Sequence, residues 1–229
     1  MLDVVQISYY EPYADDNFEL LQLFAPHAKR VEGVKGIFEA HKAAAEIAET
    51  SHFYVIDADA VMDEEFSFRF KPDKNKDAYP NIPETDCVYV WRSRNPVNDL
   101  LYGYGGAKLF KRQAMLDAEY WNIDMTTTLG CPFVPKFQVS NITQFNTDPY
   151  STWRSAFRET VKLTLSKDTD ADRRLNKWLN PLADCDYCDD AMLGAKMGKE
   201  FALENKHKPE VLNNINDYEW LENTWKQLS

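Results

Sequence analysis

The sequence predicts an α/β fold, with a doubly wound, mostly parallel sheet, helices on both faces and a helical C-terminal part. Three observations indicate this class. The first 57 of the 229 residues alternate between strand and helix patterns. Residues 52–57 are an apolar run of the kind buried on both faces of a parallel sheet. Residues 151–180 and 188–204 carry helical patterns, and no linker or repeat interrupts the chain, so we expect a single domain.

Five consecutive segments carry these patterns at the start of the chain. The strand candidates are short runs rich in β-branched and aromatic residues, and the helix candidates place apolar residues on one face. In chain order they are strand 3–8, helix 17–24, strand 29–34, helix 37–49 and strand 52–57. Ligands of doubly wound sheets lie at the carboxyl ends of the strands. Ser8 and Asp57 are therefore expected together at one edge of the sheet.

Later segments predict a surface loop, two further strands and a helical region. The loop is 71–77, and the strands are 86–91 and 107–110. In the helical region, Trp153, Phe157 and Val161 recur every four residues and predict a core stripe. Gly198 lies near the end of the helix 188–204, where it suits a C-cap.

The charge distribution limits the kind of partner. The net charge of −11 argues against a DNA-coating protein, whose affinity comes mostly from lysine and arginine contacts to phosphate. Only residues 91–178 are net basic, with 13 lysines and arginines against 9 acidic residues. The excess of basic residues in this segment either arises by chance or forms a surface for an anionic partner.

Several features bear on the cellular compartment. No apolar run approaches the roughly 20 residues that span a bilayer, and Asp3 lies where a signal peptide needs a basic residue. Four cysteines are too few for a disulfide scaffold of this length, so we expect free thiols and a cytoplasmic protein. Cys185 and Cys188 have zinc-like spacing, but no histidine stands at a short fixed offset from either.

Two acidic motifs carry the chemistry. Asp57 and Asp59 directly follow the strand 52–57, and Mg²⁺ or Mn²⁺ takes one or two such carboxylates together with substrate phosphate oxygens. Asp189 and Asp190 open the later helix, where a carboxylate is either an ordinary N-terminal acid or a general base. A GxxxxGK[ST] loop is absent, and Lys108 stands where the dinucleotide fingerprint needs its third glycine.

In this order the motifs resemble the nucleotide-sugar glycosyltransferases of the GT-A fold. The resemblance runs through most of the chain and implies a nucleotide-sugar half, residues 1–90, and an acceptor half, residues 91–229. It implies a UDP-sugar donor and a Mn²⁺ or Mg²⁺ ion held by the D-x-D motif Asp57-Ala58-Asp59. The donor-binding residues that it implies are Ile7, Ser8, Tyr10, His41, Lys42 and Asp57.

On the acceptor side, the resemblance makes Asp189 or Asp190 the base that takes a proton from the acceptor hydroxyl. His207 follows the acidic helix and is a candidate third metal ligand. The glycine-rich segment 102–112 is similar to the acceptor-side strand of the family. The acceptor-binding residues that we expect are Trp91, Tyr102, Tyr104, Gly105, Gly106, Arg154 and Arg158.

Residues 146–162 are similar to a segment of small glycosyltransferases from tailed phages, some of which modify hydroxymethylated pyrimidines in DNA. This likeness implies double-stranded DNA as acceptor, with a hexose or a pentose such as arabinose as the transferred sugar. It also places the protein in the cytoplasm of an infected host cell. A base inside a duplex has to be flipped out to reach a donor, and aromatic side chains would then pack on it. A glycan or lipid acceptor is the alternative.

Two further alternatives remain open. Residues 53–61 also fit the hhhhDxDxV pattern of haloacid-dehalogenase-like phosphatases, in which Asp57 is a phosphorylated nucleophile and Asp59 the acid/base, beside Mg²⁺. That motif usually lies on the first strand, and no lysine-bearing strand stands out after it here. A binding module that keeps the fold without turnover is the second alternative.

Overall fold

The structure is a computed structural model that describes residues 1–103, 105–119 and 129–228. The strands are β1 (Asp3–Ser8), β2 (Lys29–Glu32), β3 (His52–Asp57), β4 (Ala60–Met62), β5 (Asp77–Tyr79), β6 (Ile82–Pro83), β7 (Val88–Arg94), β8 (Leu101–Tyr102), β9 (Lys108–Lys111) and β10 (Phe133–Thr143). The helices are α1 (Ala14–Phe24), α2 (Ile37–Ile47), α3 (Arg112–Asp117), α4 (Pro149–Leu165), α5 (Ala171–Leu179), α6 (Cys188–Asn205), α7 (Pro209–Leu212) and α8 (Tyr218–Lys226). Over these ranges, no helix has both the length and the apolar composition needed to cross a membrane.

The chain divides into two compact units. The first consists of Met1–Arg94 and Leu101–Thr143, and the second of Asn95–Leu100 and Gln144–Ser229. This division differs from the expected halves, 1–90 and 91–229. The reason is that β7, β9 and β10 hydrogen-bond into the same sheet as the first three strands.

The sheet of the first unit has the strand order β2-β1-β3-β9-β7-β10-β4, with β8 paired to β7. The pairs β2/β1, β1/β3 and β7/β10 are parallel, whereas β9 and β4 run against their neighbours. Five strands therefore share one direction, and the α/β class with a mostly parallel sheet is confirmed. Since β1 lies between β2 and β3, the strand order reverses at β1/β3, which is the switch point where such sheets bind ligands.

Helices cover both faces of this sheet. Alternate residues of a strand point to opposite faces, so Val4 packs with Leu21 of α1, whereas Val5 packs with Ala44 of α2. Met115 of α3 is buried on the α2 face. The first unit is thus a sheet between two helical layers, as the sequence predicted.

The second unit is built around a close contact between α4 and α6. A Cβ at Gly194 would meet the carbonyl oxygen of Trp153 at 2.3 Å, and one at Gly198 would meet that of Phe157 at 2.3 Å. Gly198 is therefore a packing residue inside α6, which corrects its assignment as a C-cap. The predicted stripe is confirmed, because Trp153, Phe157 and Val161 are buried in the core of this unit.

The cysteines differ from the expectation of four free thiols. Cys185 and Cys188 form a disulfide, whereas Cys87 and Cys131 are free. The Cα atoms of Cys185 and Cys188 lie 5.4 Å apart, since the chain turns into α6 between them, and this separation is within the range that a disulfide bridges.

Candidate functional site

The two D-x-D carboxylates lie at the carboxyl end of β3, next to the switch point. Asp57 is the last residue of β3 and pairs with Ile7 of β1. Asp59 lies in the turn that leads into β4. The side-chain amide of Asn17, which is buried in α1, donates to the carbonyl of Ala58 at 2.9 Å and ties this turn to the helix. The prediction that the motif lies at the carboxyl end of β3, beside the end of β1, is confirmed.

Asp57 is paired with Lys108, a residue that the sequence pattern did not indicate as part of the site. The Nζ of Lys108 donates to Oδ2 of Asp57 at 3.2 Å and to the carbonyl of Gly106 at 3.2 Å. Because β9 runs antiparallel to β3, its first residue, Lys108, lies where β3 ends. Burial alone would raise the pKa of Asp57, but the charge and the hydrogen bond of Lys108 hold it below its ordinary value, helped at acidic pH by protonated His41.

His41 lies in the same cluster, on the face of the sheet that α2 covers. Its side chain is fully buried, its ring packs edge-on against Phe110, and its Nδ1 is 2.8 Å from the carbonyl of Ile37. Burial lowers the pKa of His41 to about 4, against the opposing influence of the Asp57 charge. The ring is therefore neutral at neutral pH, and the cluster carries one negative charge, on Asp57, and one positive charge, on Lys108.

Lys42, the other polar residue expected to reach the donor, makes a different contact. Its Nζ donates to the carbonyl of Ala118 at 2.9 Å and lies 5.6 Å from the ring centre of Phe38. Lys42 thus anchors α2 to the end of α3, and His41 is the α2 side chain that interacts with Asp57.

The end of β1 carries polar groups on the other side of the switch point. Ser8 Oγ accepts a hydrogen bond of 3.1 Å from Nε of Arg30, whose Nη1 lies 2.5 Å from Asp15. Tyr10 has a left-handed φ of 63° and a side chain that is 81% exposed. The side chain of Ile7 packs in the core, and the expected contact of Ile7 with the donor stays a prediction. Arg30 is a cation at this edge that sequence reasoning missed.

The D-x-D carboxylates fit an ion of the Mg²⁺ or Mn²⁺ type in their chemistry. They supply oxygen ligands, and these ions need only one or two protein carboxylates when phosphate oxygens complete the shell. Among the residues with a described placement, there is no cluster of three or more histidine, cysteine or acidic side chains that could hold a metal ion. A metal ion at Asp57 and Asp59 therefore stays a prediction.

The glycine-rich segment after β8 has a structural explanation. Gly105 has a φ of 71°, its carbonyl accepts from Asn141 at 2.9 Å, and a Cβ there would meet Oγ1 of Thr143 at 2.2 Å. A Cβ at Gly106 would meet the carbonyl oxygen of Trp91 at 2.0 Å. Glycine is required at both positions by close packing, and their predicted contact with an acceptor stays a prediction.

The predicted aromatic contacts have different outcomes. Trp91 is only 4% exposed and packs against Tyr54, Phe66 and Phe70. It belongs to the core, which contradicts the expectation that it stacks on an acceptor base. Tyr102 is half-buried in β8, paired with Ser93. Tyr104 lies outside the described residues.

The predicted base and the third metal ligand belong to the second unit. Asp189 and Asp190 lie in the first turn of α6. Burial, and next the charge of Asp189, raise the pKa of Asp190, and this direction favours Asp190 as a base at neutral pH. His207 is exposed in the turn between α6 and α7. The roles of all three stay predictions.

The two arginines expected to hold DNA make contacts within the second unit. The guanidinium of Arg154 lies 5.3 Å from the ring centre of Tyr150 and 4.9 Å from that of Tyr218. Nε of Arg158 donates to the carbonyl of Ile215 at 2.7 Å. Arg158 therefore has a structural role on the 3₁₀ turn that precedes α8. Arg154 also hydrogen-bonds to the Tyr150 side chain and interacts with the charge of Asp148.

Comparisons with known proteins identify no family. No family model matches the chain, and no curated protein matches it. Two matching solved structures are of HddC from Yersinia pseudotuberculosis, one of them complexed with GMP-PN. The complex is 11% identical over 60% of this chain and 91% of HddC, and the other structure is 12% identical over 61% and 90%; both have a TM-score of 0.40. At that similarity neither structure indicates what this chain binds.

Proposed function

We propose that the protein is a metal-dependent glycosyltransferase that moves a sugar from a UDP-sugar to an acceptor hydroxyl. The observation that carries the proposal is the position of Asp57 and Asp59 at the carboxyl end of β3, beside the β1/β3 switch point. A doubly wound sheet binds its ligand at that point, and paired carboxylates there suit a metal diphosphate. The sequence resemblance to GT-A glycosyltransferases agrees with this geometry.

In this proposal, Asp57 and Asp59 hold Mn²⁺ or Mg²⁺, and Ser8 and Tyr10 line the donor side of the crevice. When bound, the ion neutralises negative charge that develops on the diphosphate leaving group. Asn17 keeps the turn between the carboxylates in place through its bond to Ala58. The sequence resemblance assigns to Asp190 or Asp189 the role of base: it takes the proton of the acceptor hydroxyl as the hydroxyl oxygen bonds to the sugar and UDP leaves.

The acceptor that we propose is a hydroxymethylated pyrimidine in double-stranded DNA. Its support is the net basic segment 91–178 together with the phage-like segment 146–162. Within that segment, Arg154 is the better candidate for a phosphate contact, because Arg158 is bonded to Ile215. Proteins that modify a base commonly hold the DNA backbone with such cations.

Transfer of label from radiolabelled UDP-sugars tests donor and acceptor together. Duplex DNA containing hydroxymethylcytosine, hydroxymethyluracil or unmodified cytosine is incubated with the protein, each UDP-sugar and Mn²⁺. We expect label only on hydroxymethylated DNA, and less of it with Arg154→Ala. Label on an oligosaccharide or a lipid, with none on any DNA, would contradict the proposed DNA acceptor and would still support glycosyltransferase activity.

The contact between Lys108 and Asp57 also favours a second candidate, a haloacid-dehalogenase-like phosphatase. That family needs a lysine-bearing strand after its D-x-D motif, and β9 brings Lys108 to 3.2 Å from Asp57. In this reaction an oxygen of Asp57 attacks phosphorus, the alcohol leaves with a proton from Asp59, and water then hydrolyses the acyl phosphate. Mg²⁺-dependent hydrolysis of p-nitrophenyl phosphate that is lost in Asp57→Asn, with no release of UDP from any UDP-sugar, would establish this alternative.

A further inference from the structure

Lys108 is held close to Asp57 by its position in the sheet. It is the first residue of β9 and lies opposite Val55 of β3 and Val90 of β7. Its side chain is only 11% exposed. Because the alkyl chain of Lys108 is buried between two strands, its conformational freedom is limited, and the ammonium group stays at the edge of the sheet where β3 ends.

The contacts of Lys108 occupy part of the carboxylate that a metal would use. Nζ donates to Oδ2 of Asp57 and to the carbonyl of Gly106, both at 3.2 Å. The positive charge of Lys108 compensates the negative charge of Asp57 at this position. A divalent cation bound to Asp57 would therefore lie within a few ångströms of an ammonium group in a partly buried environment, where like charges repel strongly.

We propose that Lys108 and a divalent cation compete for the carboxylate of Asp57. This inference rests on the metal site of the proposed function, which the phosphatase alternative shares. While Lys108 is paired with Asp57, the site binds a cation weakly. Binding of the cation moves the ammonium away from Asp57, and the metal affinity of the free protein is reduced by the competition between the two cations.

The strand itself offers a matched control. Lys111 is the last residue of β9, lies opposite His52 at the other end of β3, and pairs with Asp86 at 2.5 Å. Lys111→Met makes the same chemical change as Lys108→Met: the positive charge is lost and an unbranched apolar side chain takes its place. Because Lys111 is at the opposite end of the strand, its loss leaves the pair between Lys108 and Asp57 in place.

The test is a titration of the full-length protein with Mn²⁺ alone, followed by the electron paramagnetic resonance signal of the free ion. We expect Lys108→Met to bind Mn²⁺ at least about ten times more tightly than the wild type, because one unit of repelling charge is removed. Lys111→Met and Lys108→Arg, which keeps the cation, are expected to match the wild type. Equal or weaker binding by folded Lys108→Met, or no Mn²⁺ binding by any of the proteins, would overturn the inference.

A second measurement uses the wild type, so that it does not depend on the folding of a variant. Acylation of lysines by an amine reagent is read by mass spectrometry with and without Mg²⁺. We expect Mg²⁺ to increase the acylation of Lys108 and not that of Lys111, whereas an unchanged Lys108 would contradict the competition. UDP binding is measured separately. If Lys108→Met binds Mn²⁺ more tightly but UDP does not bind, the competition is supported and only the proposed UDP-sugar donor is contradicted.

Discussion

The side-chain amide of Asn17 donates to the backbone carbonyl of Ala58, the residue between the two D-x-D carboxylates, at 2.9 Å. Asn17 is buried in α1 and lies 41 residues before Ala58. The bond connects the first helix to the turn on which Asp59 lies. In the proposed function, Asn17 is therefore a positioning residue, since it holds the turn that carries Asp59 without being a proposed metal ligand itself.

Asn17→Ala is expected to lower turnover by about 10- to 100-fold, the usual cost of losing a group that orients metal ligands. Both carboxylates remain in this variant, so added Mn²⁺ should restore part of the loss. The measurement is the rate of UDP release as a function of Mn²⁺ concentration. Gln22→Ala, on an exposed position of the same helix, is the control, and an Asn17→Ala protein with wild-type Mn²⁺ dependence would refute the role.

Asp190→Asn is expected to reduce kcat by at least about 100-fold while donor affinity changes little, because loss of a base affects the chemical step. Asp189→Asn should have the smaller effect, since burial raises the pKa of Asp190 and makes Asp190 the better candidate for the base. Steady-state kinetics and UDP binding by calorimetry measure the two quantities. Full activity in both variants would show that neither carboxylate is the base.

Protein stability should fall as the pH is lowered from about 6.5 to about 4. Burial lowers the pKa of His41 to about 4, below the ordinary value of 6.5, so the unfolded chain takes up a proton first as the pH falls. The shift corresponds to roughly 3 kcal/mol of unfolding free energy, present above pH 6.5 and lost towards pH 4. Urea unfolding at several pH values measures it, and His41→Asn should show a shallower decline. An equally steep decline in that variant would exclude His41 as the cause.

Gly194→Ala is expected to destabilise the protein by about 1–3 kcal/mol, because a methyl group would meet the carbonyl oxygen of Trp153 at 2.3 Å. The packing of α4 against α6 has to open to admit it. Lys196→Ala, on an exposed position of α6, is the control and should change stability by less than about 0.5 kcal/mol. Thermal unfolding measures both, and equal melting temperatures would contradict the described helix contact.

The sequence predicted β1 and β3 with the bounds observed, 3–8 and 52–57. Both are central strands that are buried on both faces, so their apolar runs are continuous. In contrast, β10 was missed. Its 11 residues include Pro135, two of its exposed positions are the apolar residues Phe137 and Ile142, and its register against β7 shifts twice. A bulged strand of this kind has neither a continuous apolar run nor a clean alternation.

The candidate site was predictable only in part. The position of Asp57 and Asp59 follows from local sequence, because the end of a buried strand is visible in it. The contact between Asp57 and Lys108 does not follow from local sequence. Lys108 is 51 residues away along the chain, and it reaches Asp57 only because β9 runs antiparallel to β3. Trp91 was assigned to the acceptor because a lone aromatic residue in a strand does not reveal which face it occupies, and its burial against Tyr54 and Phe66 comes from other parts of the chain.

The most direct test of the central claim is the Mn²⁺-dependent release of UDP from a panel of UDP-sugars by the wild type and by Asp59→Asn. For at least one UDP-sugar, the wild type should release UDP in the presence of Mn²⁺ and lose this activity when the metal is chelated. Asp59→Asn should be slower by at least about 100-fold, because one of two protein ligands to the ion is lost. Wild-type turnover and metal dependence in Asp59→Asn, or no UDP release from any sugar, would contradict the proposed site.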